Sequence, residues 1–149
     1  NRSESLLTSS EQGLLSAAFH PDYQNNGSFV TVYNADPAES TISAFTLEDP
    51  DISDTTADST SEEVLIEMRN DAGNHNGGDL HFGPHGYLYM SWGDDGNAND
   101  TLNNGQFLDK DFWSAITRIG VDLEPEDDTA SDGTGSDDAN LRPNTHPAV

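Results

Sequence analysis

Short apolar runs separated by turn-forming residues are the feature of this sequence that most restricts its fold. The runs are roughly four to eight residues long, and no segment keeps a 3.6-residue apolar period over three helical turns. Clusters such as Asn25-Asn26-Gly27 and Gly93-Asp94-Asp95-Gly96 separate them. The pattern predicts an all-β chain, with strands at Leu14–Phe19, Ser28–Tyr33, Thr41–Leu47, Val64–Met68, Asp79–Phe82, Tyr87–Trp92 and Ala115–Leu123.

A weak internal repeat suggests how these strands are grouped. Ala17–Pro21 (AAFHP) aligns with Leu80–Pro84 (LHFGP), and in both copies a glycine and an apolar strand follow. A repeat holding about four short antiparallel strands is typical of a β-propeller blade. The chain is therefore predicted to contain about one and three-quarter blades of four-stranded antiparallel sheet.

A partial propeller also agrees with the composition. Only 32% of the residues are apolar, against about 45 to 50% in an ordinary globular domain. Because blades bury their faces against neighbouring blades, two blades alone would leave apolar surface in water. We therefore expect residues 1–149 to be a fragment of a single β-propeller domain. Within it, residues 124–140 (EPEDDTASDGTGSDDAN) are expected to form an acidic flexible loop.

The charge balance limits the partners. The chain has 28 acidic and 5 basic residues, so nucleic acid is an improbable ligand. Calcium capture, adaptation to high salt and a plain acidic surface all fit such acidity. The acidic loop lacks the regular spacing of a calcium loop, so no metal ligand is assigned within the chain. No apolar stretch is long enough to predict a membrane span, and the absence of cysteine excludes disulfides.

One histidine stands out as a candidate for chemistry. His75 lies at the entry to a strand, and Asp94 lies at the end of the following strand. In an antiparallel hairpin these two positions are adjacent. A carboxylate that accepts a hydrogen bond from one imidazole nitrogen leaves the other nitrogen available as a base. Taken alone, the same pattern also fits a turn histidine with no catalytic role.

Three ordered motifs resemble the soluble quinoprotein glucose and aldose dehydrogenase family. They are Gln12–Tyr23 (QGLLSAAFHPDY), His75–Gly96 (HNGGDLHFGPHGYLYMSWGDDG) and Phe112–Asp122 (FWSAITRIGVD). The resemblance implies a six-bladed propeller that binds pyrroloquinoline quinone (PQQ) and calcium. It also implies oxidation of the C1 hydroxyl of an aldose by hydride transfer to PQQ, with His75 as the general base and Asp94 as the residue that orients it.

Further expectations follow from the same resemblance. Gln12 and Asn99 match cofactor-contacting positions, and Gln12 carries an uncertain offset of one residue. The family's calcium ligands and the arginine and lysine residues that hold the quinone are expected outside this fragment, which alone should be inactive. The expected partners are an aldose and an electron acceptor such as a cytochrome or a quinone, in the periplasm or outside the cell.

Some features leave other functions open. His85, Ser114 and Gly120 depart from the family's usual residues, and related propellers can keep the scaffold without the chemistry. A non-enzymatic propeller that binds a protein or carbohydrate is therefore the alternative, and an unrelated propeller that matches by chance is a third possibility. Retention of both His75 and Asp94 favours the enzyme.

Overall fold

A four-stranded antiparallel sheet forms the first half of the protein. The computed structural model describes residues 6–35, 38–48, 56–107 and 109–122. The first sheet contains, in chain order and in spatial order, β1 (Leu14–Phe19), β2 (Phe29–Ala35), β3 (Glu39–Phe45) and β4 (Glu63–Arg69). Register shifts interrupt the pairing of β1 with β2 and of β3 with β4, as β-bulges do in twisted sheets.

The second half is a three-stranded antiparallel sheet. It contains β5 (Asp79–Phe82), β6 (Leu88–Ser91) and β7 (Ile116–Ile119), again adjacent in chain order. The turn between β5 and β6 is closed by two backbone hydrogen bonds around Gly83. The first sheet is thus one complete blade and the second supplies three strands of the next, which confirms the predicted β fold.

All seven predicted strands are present, although several boundaries differ. β3 begins two residues earlier than predicted because Glu39 pairs with Ala35 at the end of β2. Leu47 lies beyond β3 and instead forms an isolated bridge with Ala57. β7 ends at Ile119 because its partner β6 starts at Leu88, so the ladder has no further residue to pair.

One helical turn was not predicted. α1 (Tyr23–Asn26) follows β1 and ends at Gly27, whose φ of 61° is in the left-handed region. Gly27 closes the turn by donating its N–H to Tyr23 O at 2.8 Å. A single turn is too short to give a periodic apolar pattern, which is why the sequence indicated only a loop here.

The hydrophobic core lies between the two sheets. Alternation along each strand places one apolar set on the shared face. Its buried members are Val30, Val32, Ile42, Ile66, Met68, Leu80, Leu88, Met90, Trp92, Trp113 and Ile119. Trp92 and Trp113 pack edge to face with ring centroids 5.6 Å apart, and the Trp92 indole N–H donates to Thr117 Oγ1 at 3.1 Å. Both rings lie in the core between the two sheets.

The inner strands β1 and β5 run side by side in the same direction. The Leu80 N–H donates to Ser16 Oγ at 3.3 Å near the start of both strands. At their other ends the rings of His20 and Phe82 are 5.4 Å apart. We call the end where β1 and β5 begin the site end, and the end where they finish the opposite end. Residues 124–140, predicted to form an acidic loop, lie outside the described residues.

Within the described ranges, no helix has the length and apolar character needed to cross a membrane.

Candidate active site

The β5–β6 hairpin brings His75 and Asp94 together at the site end. The strand ladder finishes with Asp79 opposite Ser91, and it is extended by a hydrogen bond from Gly78 N–H to Ser91 O at 3.0 Å. The two chains stay adjacent beyond that point, since the Asp95 N–H donates to His75 O at 3.2 Å. His75 Nδ1 then lies 2.9 Å from Asp94 Oδ1. The spatial pairing expected from hairpin geometry is present, while the catalytic roles are a separate proposal.

The His75 pair leaves one ring nitrogen uncommitted among the described residues. Asp94 accepts from Nδ1, which therefore carries the proton, and no described residue hydrogen-bonds to Nε2. The His75 side chain is 44% exposed and that of Asp94 is 26% exposed. A ring held through Nδ1 with an accessible Nε2 lone pair is the arrangement that a general base requires.

The charge state of Asp94 supports this hydrogen bond. Partial burial would raise the pKa of Asp94, but the hydrogen bonds from the His75 ring and the Gly96 N–H outweigh it and hold that pKa below its ordinary value. Asp94 is consequently ionised at neutral pH. A negative carboxylate beside Nδ1 would stabilise the imidazolium that forms when Nε2 accepts a proton.

The backbone of His75 is held in an uncommon conformation. Its φ is 57°, in the left-handed region, which costs a non-glycine residue on the order of 1 kcal/mol. Two contacts fix it. The His75 N–H donates to Glu11 Oε2 at 2.8 Å, and the His75 carbonyl accepts from Asp95. The loop that carries His75 is thus held by Glu11, which precedes β1, and by Asp95, which follows β6.

Glu11 was not among the predicted site residues. It precedes β1, 64 positions before His75 in the chain, so no local pattern relates the two. Its backbone N–H also donates to Gly73 O at 3.3 Å. One sequence signal could have pointed to Glu11. The cofactor-contacting position assigned to Gln12 was uncertain by one residue, and Glu11 is the residue before Gln12.

Gln12 and Asn99, the two predicted cofactor-contacting residues, have no described hydrogen bond to His75 or Asp94. Gln12 lies at the site end, where its Oε1 accepts from Ser9 Oγ at 3.2 Å, and among the described contacts it makes no hydrogen bond to His75. Asn99 is exposed in the loop after Asp94, with a φ of 64°. That loop is attached to the site by Asn104, whose Nδ2 donates to Asp94 O at 2.9 Å. The cofactor roles of Gln12 and Asn99 stay predictions.

A shallow cleft lies beside the pair. Its lining residues are Leu15, Gly77, Gly78, Asp79, Ser91, Trp92 and Gly93. Gly77 and Gly78 have φ values of 86° and 132°, and a Cβ on either would come within 2.7 Å of neighbouring atoms. Close packing within the protein therefore already requires both glycines.

The cleft, as lined by the described residues, lacks the charged groups that a PQQ site needs. PQQ carries carboxylates, which require cationic partners. Arg69 is exposed with Nε 3.3 Å from Asp71, Arg118 lies over the Tyr87 ring, and Lys110 contacts Asn104 and Asp111. None of these three lines the cleft. Within the described residues there is also no group of three or more acidic, histidine or cysteine side chains able to hold a metal ion.

Comparison with known proteins agrees with the fold. Residues 2–139 match the family model described as "Glucose / Sorbosone dehydrogenase". The fold is similar to that of the PQQ-bound aldose sugar dehydrogenase of Streptomyces coelicolor, with a TM-score of 0.65 at 23% identity over 83% of this chain and 35% of that one. It is also similar to the apo-form of the soluble aldose sugar dehydrogenase of Escherichia coli, with a TM-score of 0.63 at 19% identity over 84% of this chain and 37% of that one. The two sheets thus form part of the six-bladed β-propeller predicted from sequence.

Curated relatives include proteins named for an interaction. The mouse Hedgehog-interacting protein is 30% identical over 130 residues, covering 76% of this chain and 17% of that protein. The HIPL2 protein of Arabidopsis thaliana is 28% identical over 149 residues, covering 76% of this chain and 21% of that protein. The chain therefore spans about a fifth of these relatives' length.

Proposed function

The chain belongs to the glucose / sorbosone dehydrogenase family, and on that premise we propose that it supplies the general base of a PQQ-dependent sugar dehydrogenase. The observation that carries the proposal is the His75–Asp94 pair, with 2.9 Å between Nδ1 and Oδ1 and an uncommitted Nε2 among the described residues. The chain is in this proposal a fragment, residues 1–149, of a single propeller domain.

The proposed role of His75 is to remove the proton from the C1 hydroxyl of an aldose. Nε2 accepts this proton, and the ring becomes a cation beside the ionised Asp94. The carboxylate holds the ring and offsets the new charge, so the proton moves without a large change in geometry. Hydride acceptance is the chemistry that PQQ would supply when bound, and its anionic groups would need cations from outside the described residues.

The other parts of the proposal rest on the family relationship. The substrate is an aldose, the final electron acceptor is a cytochrome or a quinone, and the location is periplasmic or secreted. Calcium is the expected metal, with its ligands outside the described residues.

The complete protein loaded with PQQ and calcium provides the test. Addition of glucose or another aldose should reduce the quinone, as followed by its absorption spectrum, and His75→Ala should abolish this reduction while PQQ binding is retained. Absence of reduction with every aldose in the loaded wild-type protein would contradict the enzyme proposal.

A binding module is the second candidate function. The 30% identity to a protein named for interaction with Hedgehog supports it. In this case the propeller would bind a protein or carbohydrate without turnover, and His75→Ala would leave ligand affinity unchanged. The enzyme is preferred because a binding surface has no need of an oriented base.

A further inference from the structure

Asp95 follows Asp94 in the turn after β6, but its side chain lies in a different environment. Whereas Asp94 is partly exposed beside the His75 ring, Asp95 is only 1% exposed. Its φ of 59° is in the left-handed region. Two consecutive carboxylates therefore lie on opposite sides of one turn, one at the surface with the imidazole and one in the interior.

The Asp95 carboxylate collects hydrogen bonds from the loop that carries His75. Oδ2 accepts from the Asp71 N–H at 2.7 Å, and Oδ1 accepts from the Ala72 N–H at 3.4 Å and from Asn76 Nδ2 at 3.1 Å. The Asp95 N–H also donates to His75 O at 3.2 Å. One residue thus contacts residues 71–76 at four points and closes this loop on both sides of His75.

The chemistry of the contacts requires a carboxylate. The three groups that bond to the Asp95 side chain are all N–H donors, two from the backbone and one from Asn76. An ionised carboxylate can accept from all three because it has only acceptors. An asparagine would direct its own NH₂ group at a donor and would lose at least one bond. Burial raises the pKa of Asp95, and the Asp71 and Ala72 N–H groups oppose that rise. A buried carboxylate is costly unless such partners offset its desolvation.

The same network includes a further buried polar side chain. Asn76 is 2% exposed, and its Nδ2 donates to Ala72 O at 3.1 Å as well as to Asp95. Asn76 follows His75 directly, so fixing Asn76 also fixes the residue before it. These contacts hold the loop on both sides of the residue whose imidazole is paired with Asp94.

We propose that Asp95 is a positioning residue for the reaction, holding the His75 backbone through residues 71–76 while Asp94 holds the His75 ring. This inference rests on the proposed function. The two neighbouring carboxylates then have separate tasks: Asp94 determines which ring nitrogen carries the proton, and Asp95 determines where the ring is placed. Asp95 acts only through other residues and does not contact the substrate.

Asp95→Asn in the complete protein tests this, with Asp109→Asn as the control because Asp109 is an exposed carboxylate further along the same connection between β6 and β7. In Asp95→Asn the amide hydrogens of Asp71 and Ala72 should exchange about tenfold faster or more, since bonds to a charged acceptor are lost. The ring ¹⁵N shifts of His75 should lose the pattern of a single Nδ1–H tautomer. With an aldose, kcat should fall about tenfold with a smaller change in KM. The control should match wild type in every measurement.

Several results would overturn the inference. Unchanged exchange at Asp71 and Ala72 would do so, as would faster exchange with an unchanged His75 ring spectrum or an unchanged kcat. If Asp95→Asn does not fold, Asn76→Ser removes one of the three donors and should accelerate the same exchange by about threefold; no acceleration there overturns the inference too. Failure of the proposed function is distinguishable, because it would remove turnover from wild type while the exchange and ring-spectrum results still decide the role of Asp95.

Discussion

Two of the histidine–aspartate pairs among the described residues have equal length and lie at opposite ends of the same pair of sheets. At the site end His75 Nδ1 lies 2.9 Å from Asp94, and at the opposite end His20 Nε2 lies 2.9 Å from Asp122. Both pairs join the end of one element to a distant residue. The hydrogen bond alone therefore does not distinguish a catalytic pair from a structural one.

The surroundings of the rings distinguish them. The His20 side chain is 8% exposed, and its Nδ1 accepts from the Asp22 N–H at 3.1 Å and lies 2.9 Å from Asn26 Nδ2. Both of its nitrogens are thus committed, and Phe82 packs against the ring. His75 is far more exposed and keeps Nε2 uncommitted among the described residues. A histidine needs a free nitrogen and access to accept a proton from a ligand, and of these two histidines His75 meets both conditions.

The largest expected difference is in turnover. In the PQQ-loaded complete protein, His75→Gln should lower kcat by about 10²- to 10⁴-fold, the usual contribution of a general base. His20→Gln should change kcat only a few-fold, because His20 lies at the end away from the cleft. Steady-state kinetics with an aldose measures both. Equal losses in the two variants would break the comparison.

Stability should show the reverse order. His20→Ala should lower the free energy of unfolding by about 2 kcal/mol, since it removes a buried ring together with its hydrogen bonds to Asp22, Asn26 and Asp122. His75→Ala should lower it by less than about 1 kcal/mol, because the ring is half exposed. Urea unfolding of each variant against wild type gives these values. A larger loss for His75→Ala would show that its loop is structural.

Substitution of Asp94 should lower kcat more than substitution of Asp122, but the difference should be smaller than that between the two histidines. Asp94→Asn should lower kcat by about tenfold or more, because an amide no longer fixes the proton on Nδ1 or offsets the imidazolium charge. Asp122→Asn should leave kcat near its wild-type value. If Asp94→Asn has the same kinetics as wild type, Asp94 does not orient His75 for the reaction.

The smallest effect is the pH dependence of stability within the site end. The pKa of Asp94 is lowered, so its stabilising contribution is present above the ordinary carboxylate pKa and is lost as pH falls through the lowered value. The pKa of Asp95 is raised, so its contribution is lost as pH rises through the raised value. Asp94→Asn should therefore make unfolding less sensitive to acid, and Asp95→Asn more sensitive. Urea midpoints measured across the acidic range give the slope of stability against pH for wild type and each variant. The changes in slope relative to wild type should have opposite signs in the two variants, and changes of the same sign would contradict the assignment.

Local patterns were enough to predict the strands and the pairing of His75 with Asp94. Each strand is indicated by alternation and flanking turns, and hairpin geometry alone places His75 beside Asp94. The sequence did not indicate the separate environment of Asp95, which is buried and hydrogen-bonded to the loop that carries His75. Glu11 was missed for a different reason, since its contact with His75 crosses from one sheet to the next.

The sequence by itself determined that this chain is β, that its strands form successive blades, and that a histidine and a carboxylate meet at one hairpin. Those features depend on neighbours a few residues apart or on one turn. Only the tertiary structure decided which histidine is buried and which is available. Asp122, which pairs with His20 Nε2, and Glu11, which accepts from the His75 N–H, are 102 and 64 positions away from these histidines in the chain, and such contacts exist only after the two sheets have packed.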